Sequence, residues 1–254
     1  MTYQHQYKGE IQQVSPKTRR DYLKRKPKCF VGVSLSNPSF LGAKFEGLIN
    51  FIANRHHECT FLLGDYIHRL TLQIREGFAE DEAKKAALQM GEEYIERHRN
   101  LLEKNHPQLS LNLIKGSHIC HNERVQSYLD HLRREYHDNS EFKLAVNRFS
   151  GKFIARAMSE NELTERAVSL SSQYVLEELA ETCFMIHAGH EVLIYPGSLA
   201  IFEQIAEGHF PHLPEELNTL INVSVRLKKR KQVCQSPLSE SPDRHALSSE
   251  YPIN

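Results

Sequence analysis

No stretch of the chain stays apolar for the ~20 residues that span a bilayer, and residues 1–10 are polar where a signal peptide carries its apolar core. Together these absences point to a protein that stays in the cytoplasm. Cysteine is sparse: Cys29, Cys59, Cys120, Cys183 and Cys234 are odd in number, widely spread and without a C-x-x-C pair. That argues against a disulfide framework or a zinc ribbon and leaves buried or indifferent thiols. The chain has no G-x-G-x-x-G and no G-x-x-x-x-G-K-[ST], so dinucleotide and P-loop nucleotide binding have no motif behind them. The run Gly32-Val33-Ser34-Leu35-Ser36 departs from G-x-S-x-G, which disfavours an ordinary hydrolase elbow. The histidine groups His118-Ile119-Cys120-His121 and His187-Ala188-Gly189-His190 match no strong tetrahedral spacing. No metal is therefore expected. No internal repeat is visible.

What is present suits one large domain of ordinary apolar content, with a packed core, in 254 residues. The formal charge is zero, but it is unevenly spread. Lys17, Arg19, Arg20, Lys24, Arg25, Lys26 and Lys28 face a single acid, Asp21, over residues 17–28, and Arg226, Lys228, Lys229, Arg230 and Lys231 form a second cluster. Either alone is an ordinary solvated face. Two in a neutral chain favour an anionic partner, held by counterion release.

Short apolar runs over 29–34, 60–65, 109–115, 191–195 and 220–227 read as strands. Helical patterns separate them: residues 40–53; 81–104, with Leu88, Ile95 and Leu102, flanked by Ala87, Tyr94 and Leu101, as a stripe facing a core; two more around Val125–Tyr136 and Phe142–Ala157; and one running to about residue 187, capped by Ser159 with Glu162 in a capping box. Strands alternating with helices predict an α/β fold, a parallel sheet with helices on both faces. Such sheets hold ligands at the carboxyl ends of their strands, where Ser34, Asp65 and Tyr195 fall. Residues 1–28 read as a basic N-terminal arm, 29–232 as a single α/β catalytic domain, and 233–254, rich in Ser and Pro, as a disordered tail. Tyr174 and Glu178 stand at i and i+4, on one helix face. A carboxylate beside a phenol can hold an ammonium group and move its protons, although the spacing alone equally fits a surface glutamate near a half-buried tyrosine.

Three blocks taken in order carry a resemblance. Phe30-Val-Gly-Val-Ser-Leu-Ser-Asn-Pro-Ser-Phe40, Gln173-Tyr-Val-Leu-Glu-Glu178 and Val192-Leu-Ile-Tyr-Pro196 resemble the signature segments of the tRNA-dependent cyclodipeptide synthases. Tyr195-Pro196 matches the family's Tyr-Pro branch, whereas Asn37 is similar to an asparagine of its Tyr-His branch. The resemblance implies a Rossmann-like fold akin to the catalytic domain of the class I Tyr and Trp aminoacyl-tRNA synthetases. It also implies that Ser34 is a covalent nucleophile, that Tyr174 and Glu178 anchor an ammonium group, and that Tyr195 positions groups near the serine. By strand position, Phe30, Gly32, Leu62, Gly64 and Leu193 would line an apolar first amino-acid pocket, with Asn37 nearby. The implied partner is aminoacyl-tRNA, reached by the two basic clusters with Arg97 and Arg99, because the helix that is strongly basic in the Tyr-His branch here mixes both charges. No cofactor is implied, since the ester arrives activated, and a monomer is the default. A transferase releasing linear products and a non-catalytic tRNA-binding protein stay open as alternatives.

Overall fold

The computed structural model describes residues 6–104, 107–157 and 164–230. Six strands form one sheet, β1 (Tyr7–Ser15), β2 (Cys29–Val33), β3 (Glu58–Leu63), β4 (Ser110–Lys115), β5 (Val192–Pro196) and β6 (Ile221–Lys229), in the order β1-β6-β5-β2-β3-β4. All neighbours pair parallel except β1, which runs antiparallel to β6. From β2 the chain proceeds outward to β3 and β4. It then returns to the other side of β2 for β5 and β6. The order reverses between β2 and β5, and a sheet of this kind opens a ligand crevice at the carboxyl ends of the strands flanking such a point.

Eight α-helices accompany the sheet among the described residues: α1 (Gly42–Ala53), α2 (His68–Arg75), α3 (Glu80–Leu102), α4 (Gly116–Ile119), α5 (Glu123–Asp138), α6 (Ser140–Ala157), α7 (Glu165–His187) and α8 (Ala200–Ala206). The pleat sends alternate side chains to opposite faces, and the two cores follow that alternation. Phe30, Leu62 and Leu193 face α5, α6, α7 and α8. Val31, Val33, Phe61, Leu63, Val192 and Ile194 face α1 and α3.

Several sequence expectations shift. Residues 7–15, expected to be arm, form the edge strand β1. It is hard to see because one face is exposed and a register shift between Ile11 and Gln13 breaks its alternation. Residues 17–25 follow as a 3₁₀ segment packed under the sheet, with Tyr22 Oη donating to Glu191 Oε2 at 2.6 Å. The sheet is thus mixed at one edge. Helix α2 was not anticipated: its buried residues mix His68, Arg69 and Thr71 with Leu70, Leu72 and Ile74, so no clean apolar stripe stands out. Along α3 the buried seam is Ala83, Ala87, Gly91, Tyr94 and His98, so Ala87 and Tyr94 of the expected stripe are buried while Leu88, Ile95, Leu101 and Leu102 are half-buried beside them. Small residues let the helix approach the sheet. A Cβ on Gly91 would sit 2.7 Å from Asp65 Cβ. The described part of α7 begins with Thr164 Oγ1 accepting from Ala167 N. The Ser159–Glu162 capping box lies outside the described residues, as do Lys231 and the 233–254 tail.

Candidate active site

The alternation that builds the cores also builds the site. Phe30 and Gly32 point toward α7, so the next residue in step, Ser34, does too, as do Leu62 with Gly64 and Leu193 with Tyr195. On α7, Tyr174 and Glu178 meet them from above. All nine line one pocket, with Glu181, Thr182, Ile67 and Phe202 among their neighbours. Ser34 follows β2 and Tyr195 is the next-to-last residue of β5, so the pocket sits at the switch point.

A turn after Ser34 is closed by Asn37 N donating to Ser34 O at 3.1 Å. Asn37 then serves two partners. Its Oδ1 accepts from Ser39 N at 2.9 Å, capping a 3₁₀ turn over Pro38–Phe40, and its Nδ2 donates to Tyr195 Oη at 3.0 Å. Tyr195 also packs edge-on against Phe40, with ring centroids 5.8 Å apart. Asn37 does not line the pocket itself; it fixes the tyrosine that does. Ser34 Oγ lies 3.4 Å from Ser36 Oγ.

Burial sets the electrostatics. It pushes the Glu178 carboxyl up to about 7. It raises Tyr195 to about 12, with the Glu178 charge adding to the shift and the Asn37 hydrogen bond opposing it. Tyr174 is pushed well up, by burial first and then by Glu178, Tyr195 and Glu181, while the neighbouring Ser34 hydroxyl acts the other way. Both phenols therefore keep their protons at neutral pH and can donate, while Glu178 is poised to bind or release a proton. Asp65, also at a strand end, is taken up structurally. Its carboxylate accepts from Tyr66 N and Ser117 N, each at 2.8 Å, and from Ser117 Oγ at 2.6 Å, which ties β3 to the start of α4.

The pocket differs from the expected apolar lining. Glu181 and Thr182 contribute to it, and Glu181 lies one turn beyond Glu178. That i+3 step was the available signal, but a glutamate there reads equally well as surface. Among the described residues, no group of three or more His, Cys, Asp or Glu side chains could hold a metal ion. His190 Nε2 instead lies 2.9 Å from Thr60 Oγ1, and His187 Nδ1 lies 3.6 Å from Glu216 Oε1. No helix there is long and apolar enough to cross a membrane.

The basic clusters fall at opposite ends of the sheet. Lys17–Arg25 sits at the amino ends of the parallel strands, where Arg19 Nη1 reaches Thr219 O at 3.5 Å just before β6 and Lys28 pairs with Glu58 at the start of β3 at 2.9 Å. Lys24 is held by Asp21 at 2.8 Å, while Arg20 and Lys26 pair with no acid among the described residues. Arg226, Lys228, Lys229 and Arg230 continue β6 past Val225, the partner of Pro196, and so stand at the end that carries Ser34. Of these, Lys228 is tied to Glu10 at 2.6 Å. On α3, Arg99 pairs with Glu96 and Glu103, and Arg97 is exposed.

A mostly parallel sheet with its crevice at a switch point, lined by a strand-end hydroxyl, two phenols and a carboxyl, defines an α/β protein whose site can hold an ammonium group and move its protons. The family model for cyclodipeptide synthases matches residues 12–216, and the chain belongs to that family. Its members are aminoacyltransferases that form cyclodipeptides from aminoacyl-tRNA. No curated protein matches the chain. Among solved structures it is similar to a CDPS from Fluoribacter dumoffii, 21% identical with a TM-score of 0.75 over 89% of this chain and 100% of that one. It is also similar to the cyclodipeptide synthase from Candidatus Glomeribacter gigasporarum bound to Phe-tRNAPhe, 20% identical with a TM-score of 0.62 over 91% and 100%. Tyrosyl-tRNA synthetase complexed with L-tyrosine from Archaeoglobus fulgidus shares the fold at 14% identity, with a TM-score of 0.53 over 84% and 60%.

Proposed function

We propose that this enzyme joins two amino acids, each delivered as an aminoacyl-tRNA, into a cyclic dipeptide by a ping-pong route through Ser34, and that it belongs to the Tyr-Pro branch by its Tyr195-Pro196. The reading rests on the convergence of Ser34, Tyr174, Glu178 and Tyr195 on one pocket, from two strand ends and one helix face.

Ser34 Oγ attacks the carbonyl of the first aminoacyl ester. The bond to the tRNA ribose oxygen breaks, and the serine proton leaves with the tRNA by way of its vicinal hydroxyl. The product is an aminoacyl-enzyme. Backbone N–H groups of the turn after Ser34 are the candidates for holding the oxyanion. Glu178, with Tyr174, holds the ammonium of the bound group. It then takes a proton, and the freed amine attacks the ester of a second aminoacyl-tRNA, releasing that tRNA and leaving a dipeptidyl-enzyme. The new terminal amine attacks the Ser34 ester, which closes the ring and returns the proton to the serine. Tyr195, locked by Asn37 and Phe40, orients a phenol O–H toward these exchanges.

Docking of tRNA falls first to Arg226, Lys229 and Arg230, which share the catalytic end of the sheet, with Arg97 on α3. The Lys17–Lys28 group lies at the far end and contributes less. The test is expression in bacteria with mass analysis of the medium. Diketopiperazines from the wild type that vanish with Ser34→Ala are the expected result, and their persistence in the variant would contradict the nucleophile.

A further inference from the structure

Glu181 is 3% exposed and forms part of the wall shared by two cavities. One is the Ser34 pocket, where the side chains leave about 20 Å³, room for little more than one water molecule. The other has about 250 Å³ and is bounded by Tyr66, Arg69, Glu80, Cys120, Gln173 and Glu177 among others. Glu181 is the residue that the two linings share.

The charges around that wall are unequal. Asp65, Glu80, Glu177, Glu178 and Glu181 are five carboxyls, against the two guanidiniums of Arg69 and Arg133. Both terminal nitrogens of Arg69 are committed to Glu177, at 2.8 and 2.7 Å, and Asp65 has its three donors. No hydrogen bond reaches Glu178 or Glu181 among the described residues. Buried polar groups are nearly always paired, so two carboxyls facing a cavity without a donor point to a ligand that supplies one for each. Glycine at 116 leaves the carboxyl its place: a Cβ there would stand 3.0 Å from Glu181 Oε1.

The α-ammonium of an aminoacyl group accounts for Glu178. We propose that the Ser34 pocket selects an aminoacyl group with a long cationic side chain, lysyl or arginyl, whose stem passes Phe30, Leu62 and Leu193 and whose charged end is held by Glu181 at the mouth of the second cavity. The inference rests on the synthase reading above and specifies its first substrate. Burial, and then the charges of Glu177, Glu178 and Asp65, push the Glu181 carboxyl well up; a cation beside it restores the ionised form and a charge-assisted hydrogen bond.

The test uses the intact enzyme and separate tRNA preparations charged with lysine, arginine, leucine or phenylalanine, acid-quenched and weighed by intact mass. A lysyl or arginyl adduct on the wild type is expected. Glu181→Leu lowers the ratio of cationic to leucyl adduct about 100-fold, the range for losing a hydrogen bond to a charged group. Glu181→Gln, which keeps the shape and so controls for misfolding, shifts the ratio in the same direction. A wild type acylated preferentially by leucine or phenylalanine overturns the proposal and leaves the synthase reading standing. A cationic preference that survives both substitutions also overturns it. No adduct from any charged tRNA overturns the synthase reading, and this proposal with it.

Discussion

Glu178 must be ionised to hold an ammonium group, and must then accept a proton when that amine becomes the nucleophile. A carboxyl raised to about 7 can do both near neutral pH. The kcat/KM for acylation is therefore expected to fall as pH drops below about 7, because the protonated acid no longer holds the ammonium. Glu178→Gln should remove that limb along with most of the activity, which a pH–rate profile of aminoacyl transfer would read. Stability runs the other way. The raised pKa means this acid favours the native state below 4.5, and that contribution is lost as pH rises through about 7. Glu178→Gln should accordingly melt higher than the wild type at pH 8 and close to it at pH 4, a trade of stability for function that thermal melts at the two values can check. Tyr195→Phe keeps the ring on Phe40 but strips Asn37 Nδ2 of its acceptor. The expected outcome is a folded protein with transfer slowed about 10- to 100-fold, within the range for a positioned proton donor. At this scale the sequence was legible where residue type and position coincide, as for Ser34 at a strand end and Tyr195 before a proline. Glu181 was not, because a glutamate on a helix face looks the same whether that face meets water or a cavity.

Helix α7 is the element on which the site hangs. Its Glu177 is held by Arg69 of α2, both nearly buried, so two helices are pinned across the pocket wall by one bidentate pair. Removing one partner leaves a buried charge without compensation. Arg69→Met should cost about 3–5 kcal/mol, a fall in Tm of roughly 10 °C for a chain of this size. Arg69→Met with Glu177→Leu should recover much of that; a double variant no better than the single would argue against the pair as the cause. The same pair explains why α2 was invisible in the sequence. An element whose buried residues mix His68, Arg69 and Thr71 with Leu70, Leu72 and Ile74 shows no clean apolar period, and the acid that holds its Arg69 lies on α7, remote in the chain. β1 escaped for the opposite reason. It is an edge strand with one wet face and a register shift, so little of it needs to be apolar. The strands β2, β3 and β5, buried on both faces, were the easiest to read, because continuous Val, Ile, Leu and Phe runs leave few alternatives.

Across the whole molecule, the switch point explains why residues from 30 to 202 converge. β2 and β5 are far apart in sequence but adjacent in the sheet, and their carboxyl ends bring Ser34 and Tyr195 under the same helix. The basic clusters could be counted in the sequence but not placed, because their positions depend on the direction of β6 and on the turn that carries the chain beneath the sheet. With Arg226, Lys229 and Arg230 at the catalytic end, reversing all three to glutamate should weaken tRNA binding and reduce the slope of log K against log salt by about one for each phosphate no longer neutralised. The same number of reversals among Lys17, Arg20 and Lys26 should do less, and filter binding across a salt series would separate the two. The central claim is that Ser34 carries the amino acid. Its most direct test is peptide mapping of enzyme acid-quenched moments after mixing with aminoacyl-tRNA. An aminoacyl ester on the peptide that contains Ser34, absent from Ser34→Ala, is the predicted result. An ester on another residue, or cyclic dipeptide formed with Ser34 never modified, would contradict the account.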